Sequence, residues 1–260
     1  MTASATVVAD RSTDVGWVRA WPLRKPAMVG LGIGAALLFA ATTLVGLLYL
    51  GLLDDGPVGR ADRRAVEWLA ERRTSTWNTL SYGGSMLSDT AVKVVAVAVV
   101  GGAMVWFWRR LHDGVFLAVS VILEAAVFLC SSLVVGRDRP PVETLDPPAP
   151  SGSLPSGHTA AAVAFYGAVF VIICWHTKRT GVRIIFGVVA VAAPLAVGVS
   201  RVQRGMHHPV DVAVGIVLGV ATLLVVRAAI ARGVVEIDRH WGERAPAQVR
   251  RLDLTKGESP

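Results

Sequence analysis

Three short polar clusters interrupt the long apolar runs of this sequence, and their residue types suit chemistry on a phosphate group. A phosphate under attack spreads negative charge over its oxygens, so a site for it needs several fixed donors, and arginine matches those oxygens well. A neutral histidine can attack phosphorus, and a second histidine can protonate the leaving oxygen. The clusters supply these candidates: Arg137, Arg139, Ser156, Gly157, His158, Arg201, His207 and Asp211.

The spacing within the third cluster selects a nucleophile. His207 and Asp211 are four residues apart, which predicts a shared face if the segment is helical. We therefore expect His207 to attack, with Asp211 orienting its ring, and we take the neighbouring His208 as structural. His158 is the other histidine suited to carry a proton. Ser156 fits the N-cap of the following apolar run, where free backbone N–H groups bind anions.

The apolar runs that carry these clusters are long enough to cross a bilayer. The chain has 260 residues, 53% of them hydrophobic, and a mean hydropathy of +0.54. A membrane-spanning helix needs about 20 apolar residues. The sequence predicts an all-α, polytopic membrane protein whose core is a bundle of six spans: Met28–Leu53, Ala91–Trp108, Val115–Val135, Thr159–Trp175, Val182–Val202 and Val210–Ile230.

The distribution of basic residues predicts how the bundle is oriented. Cytoplasmic loops are enriched in Lys and Arg, and such residues follow the second, fourth and sixth spans. This places both ends of the chain, 1–26 and 233–260, in the cytoplasm, and the polar clusters of the membrane domain 27–232 at the outer face of the cell membrane. The loop 54–90 is then external, with an amphipathic helix over Arg60–Arg73 on the outer surface. The net charge of +7 arises largely in loops and ends, which argues against nucleic-acid binding.

The three clusters resemble the motifs of the type 2 phosphatidic acid phosphatase superfamily, which includes membrane lipid phosphatases. The first motif is a lysine, six residues and Arg-Pro, of which this chain has Arg139-Pro140. The second, Pro-Ser-Gly-His, is intact at 155–158. The third is Ser-Arg, five residues, His, three residues and Asp, and it is intact at 200–211.

The resemblance implies a role for each matching residue. His207 would form a phosphohistidine, Asp211 would orient it and His158 would protonate the leaving alkoxide. The phosphate would be held by Arg139, Ser156, Gly157 and Arg201. The family needs no metal or other cofactor.

One position departs from the family pattern, and one residue has no assigned role. The lysine of the first motif is replaced by Ser132, so Ser132 itself and the nearby Arg137 are candidates to complete the phosphate site. Glu124 lies in the middle of the third span, where a carboxylate is costly and needs a partner.

The substrate class that follows is a membrane lipid phosphate or diphosphate, such as undecaprenyl diphosphate, another polyprenyl diphosphate or a phospholipid phosphate. The sequence does not choose among these lipids and leaves the oligomeric state open. Two alternatives use the same fold: a phosphotransferase that passes the phosphate to an alcohol, and a non-catalytic lipid transporter or scaffold.

Overall fold

The chain is a multi-pass helical membrane protein. A computed structural model describes residues 22–147 and 150–244, and this part of the chain forms eight α-helices and no strand. Six of them, α1 and α4 to α8, are long and apolar enough to cross a membrane. The helices are α1 (Lys25–Leu52), α2 (Pro57–Glu71), α3 (Ser75–Met86), α4 (Thr90–Trp108), α5 (Leu111–Val135), α6 (Gly157–His176), α7 (Thr180–Gln203) and α8 (Pro209–Arg244).

The predicted all-α architecture with six spans is thus confirmed. Every predicted boundary lies within four residues of a helix boundary except one: α8 continues past the predicted end at Ile230 to Arg244. The predicted cytoplasmic segments 1–26 and 233–260 lie largely outside the described residues.

Helix α6 occupies the centre of the bundle and packs against α5, α7 and α8, whereas α1 packs against α5 and α8. Small side chains permit this close packing. Ala160 and Ala164 on α6 are fully buried, and a Cβ atom added at Gly219 of α8 would lie 2.6 Å from the Ala160 carbonyl oxygen. The backbones of α6 and α8 therefore approach closely just below the polar clusters.

Helix α4 lies at the rim of the bundle. Among the described helices, α5 is its one substantial packing partner. Gly101 and Met104 are its buried residues, while valines such as Val95 and Val99 point outward. Because the outer valines would face lipid tails, α4 is held to the protein along one side only.

The connection between α1 and α4 contains two helices, where the sequence predicted one. Helix α2 matches the predicted amphipathic helix. Helix α3 was not predicted, because its sequence is polar and includes Gly83 and Gly84. It packs against α7, and Gly84 lies so close to Ser200 that a Cβ atom there would meet the serine hydroxyl. The two helices cover the end of the bundle where the polar clusters lie.

Candidate active site

A cavity of about 550 Å³ opens between α4 and α5 and reaches the polar clusters. The sequence-predicted residues on its wall are Arg139, Gly157, His158, Arg201 and His207. Mostly apolar side chains of α4 and α5 line the remainder, together with the charged side chains of Lys93 and Glu124. On α5 the lining runs from Ala118 to Leu129, which corresponds to about 16 Å along the helix axis. The cavity thus joins a polar end to a long apolar channel.

His207 lies in the short connection between α7 and α8 and is 4% exposed. Its Nδ1 is 2.7 Å from the backbone carbonyl oxygen of Ser153. A carbonyl oxygen can only accept a hydrogen bond, so Nδ1 carries the proton and Nε2 keeps its lone pair. Burial lowers the pKa of His207, although Asp211 opposes this shift. The ring is therefore a neutral imidazole with a free Nε2, as a nucleophile requires.

The relation between His207 and Asp211 differs from the predicted helical face. Helix α8 begins at Pro209, so His207 precedes it and the helical condition of the predicted shared face is not met, although the two side chains are neighbours. Asp211 Oδ2 is 3.7 Å from His207 Nδ1 but accepts a 2.8 Å hydrogen bond from the backbone N–H of His208. This is the bond that a capping box makes at the start of a helix. Asp211 thus fixes the backbone beside His207, and the Ser153 carbonyl fixes the His207 ring.

Arg137 lies on the far side of Asp211 and not on the wall of the cavity. Gly136, at φ +63°, ends α5 and turns the chain. The Arg137 guanidinium then donates from Nη1 to Asp211 and from Nη2 to Asp62 and Asp54, both at 2.9 Å. Burial alone would lower the pKa of Arg137, but Asp211 and Asp62 raise it above its ordinary value. The structure therefore does not bring Arg137 to the predicted phosphate site.

Asp62 completes this network and is a residue that the sequence analysis missed. It lies on the buried face of α2 and is 4% exposed. Its Oδ2 accepts from Arg137 and from the Tyr49 hydroxyl, and its Oδ1 accepts from the backbone N–H of Val210 at 3.0 Å. The available signal was the helical spacing of Asp62 with Gly59 and Val66, which places a carboxylate on an apolar face.

Arg201 is held by Asp146, another residue that the sequence analysis missed. Arg201 Nη1 donates to Asp146 at 2.6 Å and to the Ser85 hydroxyl at 2.8 Å. Its buried Nε has no partner among the described residues. Burial alone would raise the pKa of Asp146, but hydrogen bonds from Arg204 and the charge of Arg201 lower it. An ionised Asp146 therefore aligns the Arg201 guanidinium, and the Arg201 Nε–H stays available to a ligand.

Arg139 is anchored by main-chain oxygens. Its Nη1 donates to the Met206 carbonyl at 2.7 Å and its Nη2 to the Ser151 carbonyl at 3.3 Å. Burial lowers the pKa of Arg139, opposed by Asp211. The guanidinium lies beside the loop that carries His207.

The start of α6 combines two predicted residues with a tight packing contact. Ser156 occupies the N-cap position as predicted, but its hydroxyl lies 3.0 Å from the Thr159 hydroxyl and makes no side-chain cap. Gly157 faces the Phe128 ring, which a Cβ atom there would approach to 2.6 Å. Ser132 is fully buried and donates to the Leu129 carbonyl at 3.1 Å. Neither serine lies on the cavity wall.

Comparisons with known proteins identify similar sequences. Residues 113–233 match the model of the PAP2 superfamily. The chain is 29% identical to phosphatidylglycerophosphatase B of Bacillus subtilis (strain 168) over 186 residues, which is 70% of this chain and 89% of that protein. It is 36% identical to the bacitracin transport permease protein BcrC of Bacillus licheniformis over 74 residues; that match covers 28% of this chain and 32% of the permease.

A solved structure has the same fold. The crystal structure of a transmembrane PAP2-type phosphatidylglycerolphosphate phosphatase from Bacillus subtilis superposes with a TM-score of 0.60. The superposition covers 79% of this chain and 96% of that one, at 22% sequence identity. The helical fold is therefore shared with a transmembrane protein.

Proposed function

We propose that this chain, whose residues 113–233 match the PAP2 superfamily, hydrolyses a lipid phosphate at the outer face of the membrane through a phosphohistidine on His207. One observation carries this proposal: a single cavity joins His207, His158 and two arginines to an apolar channel. The polar end suits a phosphate, and the channel suits the chain of a lipid.

The reaction takes two steps. Nε2 of His207 attacks phosphorus in line, the bond to the lipid oxygen breaks, and His158 gives its proton to the departing alkoxide. Water, deprotonated by His158, then attacks the phosphohistidine and releases inorganic phosphate. Arg139 and Arg201 stabilise the charge on the equatorial oxygens in both steps. The backbone N–H groups of Gly157 and His158, at the start of α6, add donors at a site that favours anions.

The distribution of loop charges supports the outer face. The reacting residues lie where α5 and α7 end and where α6 and α8 begin. Arg109 and Arg110, and Lys178 and Arg179, lie at the opposite ends of these helices, in the short connections where cytoplasmic basic residues accumulate.

Similarity to phosphatidylglycerophosphatase B favours a phospholipid phosphate such as phosphatidylglycerol phosphate as substrate. The channel is also compatible with the isoprenoid chain of undecaprenyl diphosphate, because both lipids present a phosphate on a long apolar chain.

The experiment that tests this function is phosphate release by the purified protein in detergent, from a panel of phospholipid phosphates and polyprenyl diphosphates. We expect His207→Ala to lower the rate at least about 10³-fold, and we expect label from a ³²P-lipid to be trapped on the wild type but not on this variant. His112→Ala, at the far end of the bundle, is the matched control and should retain full activity. Wild-type protein with no activity above His207→Ala on the whole panel would refute the hydrolase. Label that appears mainly on an added alcohol would establish the phosphotransferase instead.

A further inference from the structure

Lys93 places an ammonium group on the wall of the active-site cavity. It lies in the first turns of α4 and lines the cavity together with His158, Arg201 and His207. No hydrogen bond or ion pair within 4.0 Å engages its side chain among the described residues. Its charge nevertheless acts on His158. Among the described residues, the Lys93 side chain thus lines the site without a hydrogen bond or close ion pair.

Glu124 faces the same cavity from α5. It is 1% exposed, and neither of its carboxylate oxygens has a hydrogen-bond partner among the described residues. A carboxylate buried at this depth is costly unless a cation or a donor compensates it. Lys93 is the cation whose charge acts on Glu124. The two side chains thus form a loose pair on the wall of one cavity: their charges interact, but no hydrogen bond or close ion pair joins them.

We propose that Lys93 binds the phosphate of the substrate and that Glu124 positions the Lys93 side chain for this contact. This inference rests on the proposed function and adds a residue that the motifs do not contain. Lys93 would touch the substrate, whereas Glu124 would act through Lys93. The assignment also gives Glu124, a charged residue in the middle of a span, a reason to be there.

The state of the other cations near the site supports this assignment. Arg139 and Arg201 each donate one or two N–H groups to protein oxygens, so only part of each guanidinium is available to a phosphate. Arg137 is surrounded by three carboxylates away from the cavity. An ammonium carries three donors on a flexible four-carbon stem, so it can follow a phosphate through the reaction.

Ser132, at the position of the motif lysine, cannot bind the phosphate in place of Lys93. The hydroxyl of Ser132 donates to the Leu129 carbonyl and lies off the cavity wall. Position 132 is nevertheless one turn beyond Phe128 and Leu129, which both line the cavity, so a longer side chain there would extend along the same face of α5. The chain thus lacks a lysine at 132 but has one on the facing helix.

The decisive variant removes both charges of the pair, because Lys93→Met alone would leave Glu124 as an uncompensated buried carboxylate. We expect Lys93→Met/Glu124→Gln to fold normally, to lower kcat/KM for a lipid phosphate by about 10- to 100-fold, and to raise the inhibition constant of inorganic phosphate by a similar factor. Lys93→Arg, which keeps the charge, should retain most of the activity. Lys178→Met, the same change in a loop at the other end of the bundle, is the matched control.

A gain-of-function substitution tests whether a lysine at position 132 can replace Lys93. Ser132→Lys in the Lys93→Met/Glu124→Gln background should recover about tenfold of the lost activity, whereas in the wild type it should change the rate less than threefold. If Lys93→Met/Glu124→Gln stays within twofold of wild type in both kcat/KM and phosphate inhibition, the inference is overturned. It is also overturned if Ser132→Lys raises the wild type as much as the variant. Neither result bears on the proposed hydrolase activity, which is tested by comparing phosphate release by the wild type and by His207→Ala.

Discussion

The two ends of the cavity are built in contrasting ways. Behind the polar end, buried charges from distant parts of the chain are bound to one another: Arg137 alone joins α1, α2 and α8 through three carboxylates and a tyrosine. At the apolar end, α4 and α5 form a hairpin of helices consecutive in sequence, and α4 is held on one side only.

The two ends of the cavity suit two different tasks. A nucleophile and its phosphate donors must hold their positions to within a fraction of an ångström, which cross-linked charges provide. A lipid must enter and leave from the bilayer, which requires a wall that can move. Helix α4 can shift against α5 without breaking any of the charged contacts around His207. Lys93 differs from the other charged residues of the site because it lies on α4, the movable wall.

The largest effect that this comparison predicts is at Arg137. Arg137→Met leaves Asp62 and Asp211 buried without their cation, and breaking a buried pair in this way costs about 3–5 kcal/mol. We expect a marked fall in the thermal unfolding temperature in detergent and activity below about 1% of wild type. Arg63→Met is the control, because Arg63 pairs with Asp54 at a partly exposed position and should cost less than about 1 kcal/mol. Equal losses from both variants would show that the buried charges around Arg137 do not make the polar end rigid.

An intermediate effect is expected at Gly157, where the polar end meets the channel. A Cβ atom there would overlap the Phe128 ring, and overpacking of this kind costs about 1–3 kcal/mol. Gly157→Ala should therefore lower kcat, because the start of α6 must move away from the phosphate. Gly157→Ala/Phe128→Leu should recover part of the rate by making room. No recovery in the double variant would mean that the glycine backbone itself, and not the packing, limits the rate.

The smallest effect is expected in the channel. Val97 of α4 lines the cavity, and Val97→Trp should fill part of it. We expect about a tenfold loss of kcat/KM for a long-chain lipid phosphate and little change for a short-chain one, since only the long chain needs the volume. Val99→Trp, on the outward face of the same helix, is the control. If the two substrates respond equally to Val97→Trp, the channel does not hold the lipid chain.

Sequence patterns predicted the spans and the clustering of the motif residues because both are local properties. Hydrophobic runs fix the helices, and the clusters necessarily meet because they lie at the same ends of neighbouring spans. The partners of Arg137 were not predictable, since Asp62 and Asp211 are 75 and 74 positions away in the chain. Lys93 was missed for a similar reason: in sequence it is a single charge near the start of an apolar run, and only its position across from His158 distinguishes it.

The group around Arg137 also constrains how relatives of this chain can diverge. Tyr49, Asp54, Asp62 and Asp211 each contact the same guanidinium, so loss of any one leaves the others with an altered charge balance. Tyr49, Asp54, Asp62 and Arg137 should therefore be inherited as a set, or be replaced together, in lineages that keep Asp211 of the third motif. The same reasoning predicts that Lys93 and Glu124 appear and disappear jointly, and that lineages with lysine at position 132 are free to lose both.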